Sequence, residues 1–282
     1  MYCSKLFSER DDRFTFSKYS RSKTSWNQVA LWNIECISNH NACKPSPVAV
    51  SRSNFPARLI GVGEMYSTTV KLIETSPMNQ LKPYMTLSHC WGLHIPLCLL
   101  SNNYSEFLKG INLDNLPATY RDAGMTTREL GAEFLWIDSL CIIQDSDIDW
   151  SLESAKMHYI YRNSWLNLDA AAAKDSTQGL HFERYPLQVV PCRIEIHKTG
   201  NRRYVDSSRP QEGLKSNSLI LYTRAWVFQE WLLAPRALIF GNEVLLWDCY
   251  ECIANEIYPT RYLDMTLPWM GFDMKRAEFR NS

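Results

Sequence analysis

Apolar and polar positions change their period several times along the chain, and each change marks an element. Trp26, Val29, Ala30 and Ile34 recur at helical spacing within residues 26–43. Pro45, Pro47 and Pro56 among serines then read as a linker. Residues 58–63 and 68–74 predict two short strands around a turn. From residue 84 the chain alternates strand and helix. A short apolar strand over 84–89 runs into Cys90-Trp91-Gly92, and a small helix is expected near 103–110. Leu116, Tyr120, Ala123, Thr127 and Leu130 keep a 4-3-4-3 spacing, with Pro117 suited to the first turn and Gly131 to the stop. Residues 134–143 are nearly all apolar, as expected of a parallel strand covered on both faces. A polar turn leads into a helix over 149–161 with Asp149 as N-cap, and another apolar run covers 165–173. This order predicts an α/β fold with a parallel sheet flanked by helices.

The last third differs. Residues 193–197 read as a strand and 224–233 as a short helix. Residues 236–240 and 244–249 form a hairpin across Gly241-Asn242-Glu243. Together they predict a β-containing C-terminal extension. The expected division is an N-terminal helical and linker segment (1–55, opening with a polar leader over 1–25), a central domain (56–256) and an irregular tail (257–282).

One position violates the helical pattern. Trp150, Met157, Ile160, Tyr161 and Ser164 share one face, and Glu153 sits on it. An ionised carboxylate buried without a partner loses several kcal/mol, so Glu153 is paired, protonated or set in a cleft. Pairing with Arg121, Arg128 or Lys156 would make it structural. In open parallel sheets, ligands bind beyond the carboxyl ends of the strands. Those ends carry Ser88, His89, Trp91 and Gly92 after one strand, and Asp138, Ser139 and Cys141 along and after the next. The Glu153 helix, with Trp150, starts at the same edge. A carboxylate flanked by aromatics suits cleavage through an oxocarbenium ion, such as N-glycosidic hydrolysis. Asp138 can accept hydrogen bonds from ligand hydroxyls or cap a neighbouring backbone. His89 can act as acid, base or donor, or simply pack against Trp91. Glu230 repeats the pattern of a carboxylate four residues from a tryptophan on a short helix. It can join Glu153 in one site, or bind Arg224 or Arg236.

Thirty basic and thirty acidic residues cancel, which removes any bulk electrostatic reason to bind nucleic acid or an anionic membrane. No stretch reaches the roughly 18 apolar residues of a membrane helix, and the N-terminus lacks the apolar core of a signal peptide. Nine cysteines, an odd number, fit reduced thiols in the cytoplasm or nucleus. Cys36-x3-His40-x2-Cys43 and Cys249-x2-Cys252 offer five zinc ligands. They lie far apart in the chain and neither forms a paired-CxxC ribbon, so no metal is assigned.

Three blocks of sequence resemble the fungal heterokaryon incompatibility (HET) domain. The first is Tyr84-Met-Thr-Leu-Ser-His-Cys-Trp-Gly92. The second is long: Leu116-Pro117, Trp136-Ile-Asp-Ser-Leu-Cys-Ile-Ile-Gln-Asp145, Asp149-Trp-x-x-Glu153, Met157-x-x-Ile-Tyr161 and residues 170–180. The third is Thr223-Arg-Ala-Trp-x-x-Gln-Glu230 with Leu233-x-Pro-Arg236. The likeness covers about residues 56–256. The chain departs from it at Ala225 and Trp231, where the family usually has Gly and Arg; an acidic partner of that Arg would lose its pairing here. HET domains are associated with non-self recognition and cell death, and they are remotely similar to TIR domains. That resemblance implies a TIR-like, flavodoxin-like sheet and NAD as a candidate substrate, with no bound cofactor. It makes Glu153 the essential carboxylate, with Asp138 and Ser88 orienting ribose or phosphate and Trp91 stacking. The remaining expected binding residues are His89, Gly92, Ser139, Trp150 and Glu230. A homo-oligomer, other incompatibility proteins as partners and a cytoplasmic location complete the expectation. A non-catalytic homotypic signalling module is the alternative.

Overall fold

Four parallel strands form the centre of one nine-stranded mixed sheet. The structure, a computed structural model, describes residues 16–44, 51–93, 96–185, 192–198, 201–207, 221 and 225–260. The leader up to residue 15, Pro45, Pro47, Thr223, Arg224 and the tail beyond residue 260 lie outside the described residues.

The strands are β1 (Arg58–Gly61), β2 (Thr69–Glu74), β3 (Met85–Ser88), β4 (Ile111–Asn112), β5 (Phe134–Trp136), β6 (Leu166–Asp169), β9 (Arg236–Phe240), β10 (Leu245–Cys249) and β11 (Ile253–Asn255), with β7 (Cys192–Lys198) and β8 (Asn201–Ser207) pairing apart as a ribbon. The helices are α1 (Lys23–Asn39), α2 (Tyr104–Lys109), α3 (Ala118–Glu129), α4 (Asp138–Cys141), α5 (Asp147–Ser154), α6 (Met157–Arg162) and α7 (Ala225–Leu233). Across the main sheet the order is β11-β10-β9-β6-β3-β5-β1-β2-β4.

The parallel expectation therefore holds for the centre only. β1–β2 and β9–β10 are hairpins, and their short connections cannot make the crossover that parallel neighbours require. The expected C-terminal extension continues the same sheet, because β9 pairs in parallel with β6. Central strands β3, β6, β9 and β10 are buried at every position. Towards the margin, β2 alternates exposed and buried residues from Thr69 to Leu72, as a half-covered strand should. The outermost strands, β4 and β11, are very short, which limits edge-to-edge pairing.

The Leu116–Tyr120–Ala123–Thr127 face is buried as the spacing predicts, and Gly131 (φ 83°) follows the end of α3 in the left-handed region. Arg128 fixes that end by donating to the carbonyls of Val62, Ser67 and Thr69.

Three expectations are corrected. Residues 134–143 are not one strand. The strand stops at Trp136, and the amides of Leu140 and Cys141 turn back to the Ile137 carbonyl to make α4. A buried strand and a buried helical turn present the same apolar string, so periodicity does not separate them. The helix expected over 149–161 is two helices, α5 and α6, broken at Ala155 and Lys156, and its N-cap is Ser146. Finally, α1 buries Val29, Trp32 and Cys36, while Ala30 and Ile34 face outward. Trp32 packs on Trp247 of β10, ring centroids 6.4 Å apart, and an isolated helix of this length is marginal in water. Burial of Val29 and Trp32, about 2 kcal/mol each, holds α1 to the sheet.

Candidate functional site

Numbering the parallel strands in chain order gives the spatial order 2-1-3-4 for β5, β3, β6 and β9. The order reverses between β3 and β6, and such a switch point leaves a crevice at the carboxyl ends of the strands. A cleft of about 360 Å³ opens there. Its walls come from the end of β3 (Leu87, His89, Trp91), from α4 (Asp138), from α5 and α6 (Trp150, Tyr161) and from α7 (Trp226, Glu230).

Glu230 is the most perturbed acid of the cleft. It sits on α7, whose Val227 and Trp231 are buried. The Trp231 indole N–H donates to the Asp248 carboxylate of β10, so a neutral donor fills the place where the resemblance expects an Arg. Burial pushes the Glu230 carboxyl up to about 8, and the negative charges of Asp138 and Asp169 push the same way. The Ser88 and Tyr161 hydroxyls hydrogen-bond with it and oppose the shift. Burial, then the charges of Glu230 and Asp138, raise the Tyr161 phenol as well.

Ser88 is buried beneath Glu230 and does not line the cleft. A polar ladder between β3 and β6 fixes it: Thr86 Oγ1 donates to Asn167 Oδ1 at 2.7 Å, and Asn167 Nδ2 donates to Ser88 Oγ at 2.9 Å and also to Asp169. The register pairs Thr86 with Asn167 and Ser88 with Asp169.

Asp138 opens α4 with its carboxylate half in the cleft. Ser139 N–H donates to Oδ1 at 2.7 Å and Trp91 Nε1–H to Oδ2 at 3.1 Å. His89 Nδ1 stands 3.8 Å from Oδ1, while its Nε2 is 2.8 Å from the Tyr120 hydroxyl, to which Ser139 Oγ donates. The Tyr120 hydroxyl links His89 Nε2 to Ser139 Oγ. Ser139 is thus a buried support of the His89 ring. Gly92 (φ 78°) has a backbone reason to be glycine, since a Cβ would meet Asp175 Cβ at 2.4 Å.

Glu153 is not in this cleft. It is 2 % exposed; Oε2 accepts from Ala57 N–H at 3.0 Å and Oε1 from Lys156 Nζ at 2.7 Å. Of the two geometries expected for it, an open position in the site or pairing with Arg121, Arg128 or Lys156, the structure has the second, through Lys156. The Ala57 amide lies just before β1. A second cleft of about 400 Å³ lies on that side, lined among others by Arg52, Arg58, Glu74, Tyr104 and Lys156. Its charges are engaged with one another or with backbone: Arg58 with Asp149, Tyr104 with Glu74, and Arg52 with the carbonyls of Ser76, Met78 and Asn79. In the Glu230 cleft, in contrast, the lining among the described residues contains no lysine or arginine.

Of the residues expected in the site, Asp138, His89, Trp91, Trp150 and Glu230 meet in one cleft, Ser88, Ser139 and Gly92 support it, and Glu153 lies elsewhere. Of Glu230's alternative partners, Arg236 is committed to Cys36 Sγ and to the carbonyls of Trp165 and Cys43, and Arg224 lies outside the described residues. Tyr161, Asn167 and Asp169 were missed as site residues. The signal for Asn167 and Asp169 was present in Leu166-Asn-Leu-Asp169, where polar residues at every second position interrupt an apolar strand.

The fold and site define an α/β protein with a switch-point cleft lined by two acids and several indoles. Residues 84–230, just over half of the chain, match the family Heterokaryon incompatibility protein (HET). The chain belongs to the HET family. No curated protein and no solved structure matches it significantly. No helix among the described residues is long and apolar enough to cross a membrane.

Proposed function

We propose that the Glu230 cleft hydrolyses the N-glycosidic bond between nicotinamide and ribose in NAD or a related nucleotide. In this reading the reaction serves the cell-death and non-self-recognition role implied by HET resemblance, in the cytoplasm. The observation that carries the proposal is the Glu230 carboxyl, buried at the switch point and pushed up to about 8 by that burial and by the charges of Asp138 and Asp169. Nicotinamide in NAD is a cationic ring and leaves as a neutral molecule. A cation docking beside Glu230 stabilises the ionised carboxylate and displaces its proton. The carboxylate then faces the positive charge that develops on ribose as the bond to nicotinamide breaks. Water bonds to the ribose carbon and releases a proton to solvent. Asp138 accepts ribose hydroxyls, and Trp91, Trp150 and Trp226 offer ring surface for the two bases. The 2-1-3-4 order is that of flavodoxin-like sheets, which supports the TIR-like reading of the fold.

The test is nicotinamide release from NAD by the purified full chain, at high concentration and under crowding, beside Glu230→Gln. Release by wild type and its loss in the variant support the proposal. A wild-type protein that neither binds nucleotide nor releases nicotinamide overturns it. Ile148 and Leu152, exposed on α5, favour a second reading: homotypic assembly without catalysis, with other incompatibility proteins as partners. Under it Glu230→Gln is silent, and function is lost by charging Ile148 and Leu152.

A further inference from the structure

The fold brings together residues that are remote in sequence and lie outside the Glu230 cleft. Cys36 is on the last turn of α1, His40 and Cys43 follow that helix, and Cys249 ends β10. Their ligand atoms, three thiol sulfurs and one imidazole nitrogen, all lie within 4.8 Å of one another. His40 Nδ1 is 3.3 Å from Cys249 Sγ although the two residues are 209 apart in sequence. The three cysteines are free and buried.

We propose that Cys36, His40, Cys43 and Cys249 bind one Zn(II) ion in a closed tetrahedral site that clamps α1 to the end of β10. Bond lengths of about 2.3 Å to sulfur and 2.0–2.1 Å to nitrogen put tetrahedral ligands about 3.5–3.8 Å apart, so small side-chain rotations close the site. Three thiolates and a neutral imidazole are the donor set that selects zinc over oxygen-seeking cations. Binding releases three thiol protons to solvent and leaves a net charge of −1 on the centre. Arg236 answers that charge: its Nε is 3.2 Å from Cys36 Sγ, and its Nη2 donates to the Cys43 carbonyl at 2.8 Å. A second layer that both orients a ligand and balances the centre is the usual companion of such a site. Four protein ligands leave no position for a substrate, so the role is structural. Trp32 on Trp247 covers the neighbouring apolar seam. Cys252, the fifth residue of the sequence pattern, is outside the cluster.

The separation of the two motifs argues against a metal in sequence; the antiparallel β9–β10 hairpin and the docking of α1 remove that objection. None of the four residues lines the Glu230 cleft, so this proposal and the catalytic one fail independently.

The full chain is purified under reducing conditions without chelator, and its metal is measured by mass spectrometry. One zinc per chain is expected, lost in Cys43→Ser and Cys249→Ser and retained in Cys252→Ser. If the first two variants do not fold, cobalt(II) is added to stripped, reduced, folded wild type. The visible bands of a tetrahedral thiolate centre are expected, displaced by one equivalent of zinc, with the melting temperature raised by the metal. Absence of both stoichiometric zinc and the cobalt spectrum in folded, reduced wild type overturns the site, as does a disulfide between any two of Cys36, Cys43 and Cys249 in that protein.

Discussion

Glu153 and Glu230 each follow a tryptophan on a short helix, and each is largely buried, 2 % and 9 % exposed. Their surroundings are opposite. Glu153 meets the Ala57 amide and the Lys156 ammonium, so its negative charge is compensated where it sits. Around Glu230 are the hydroxyls of Ser88 and Tyr161 and the carboxylates of Asp138 and Asp169, so its charge is opposed. Burial therefore does not distinguish a reactive acid from a structural one; the sign of the neighbours does. Glu153 holds α5 to the start of β1, and in the proposed reaction Glu230 changes protonation when a cation arrives.

The sharpest break between the two is in turnover. Glu230→Gln keeps the shape and the neutral form that the acid holds in the empty cleft, and should lower kcat for nicotinamide release by at least about 100-fold, with thermal stability preserved. Next comes the pH profile. The free protein must lose the Glu230 proton for catalysis, so kcat/KM should rise about tenfold per pH unit below about 8 and level off above it. A profile that falls through this range would make Glu230 a general acid and remove NAD as the preferred substrate. The same group writes itself into stability. Below its ordinary value of 4.5 it is protonated in folded and unfolded chains alike, and its contribution is fully present. Between 4.5 and about 8 the unfolded chain ionises first. Stability should then fall as pH rises, by an amount on the order of a few kcal/mol. In Glu230→Gln that slope should vanish from pH-dependent denaturant titrations.

Glu153 should show the reverse division of effects. Glu153→Leu leaves the Ala57 N–H and the Lys156 ammonium without an acceptor, and should cost about 3 kcal/mol of stability. At temperatures where the variant is folded, kcat should match wild type. A folded Glu153→Leu protein with kcat reduced as far as in Glu230→Gln would erase the distinction and return the essential carboxylate to α5.

Why the sequence favoured Glu153 has a physical answer. A charge on an apolar helical face is visible to periodicity, but the break at Ala155 and Lys156 is not, because nothing in their residue types stops a helix. Glu153 is engaged by the Ala57 amide before β1, whereas Trp150, on the same helix, lines the cleft with Met157 and Tyr161 from beyond the break. Elements with one strong local signal were legible: α3 from its 4-3-4-3 face, the β9–β10 hairpin, and the strands before Cys90 and after Trp165. The parallel centre followed from their alternation. Its mixed margins did not, since pairing direction depends on connections whose partners are set by the whole sheet. Asp138, His89, Trp91 and Glu230 were legible as strand-end or helix residues of the right types. The Thr86–Asn167–Ser88 ladder was obscured because its members are scattered through runs that read as apolar.

The smallest expected effect tests whether the indoles of the cleft serve a ligand or merely fill space. Trp150 is 55 % exposed and lines the cleft wall, so its removal exposes little core. A surface substitution of this kind changes stability within about 0.5 kcal/mol, whereas loss of one stacked base costs about 1–3 kcal/mol of binding. Trp150→Ala should therefore raise KM for NAD by about tenfold with kcat nearly unchanged, as expected for an interaction made equally in the ground and transition states. Because Trp150 shares α5 with Glu153 and the cleft with Glu230, the variant also probes which environment α5 serves. An unchanged KM with reduced stability would assign Trp150, like Glu153, to packing. A raised KM with unchanged stability would place one end of α5 in the site and the other in the scaffold.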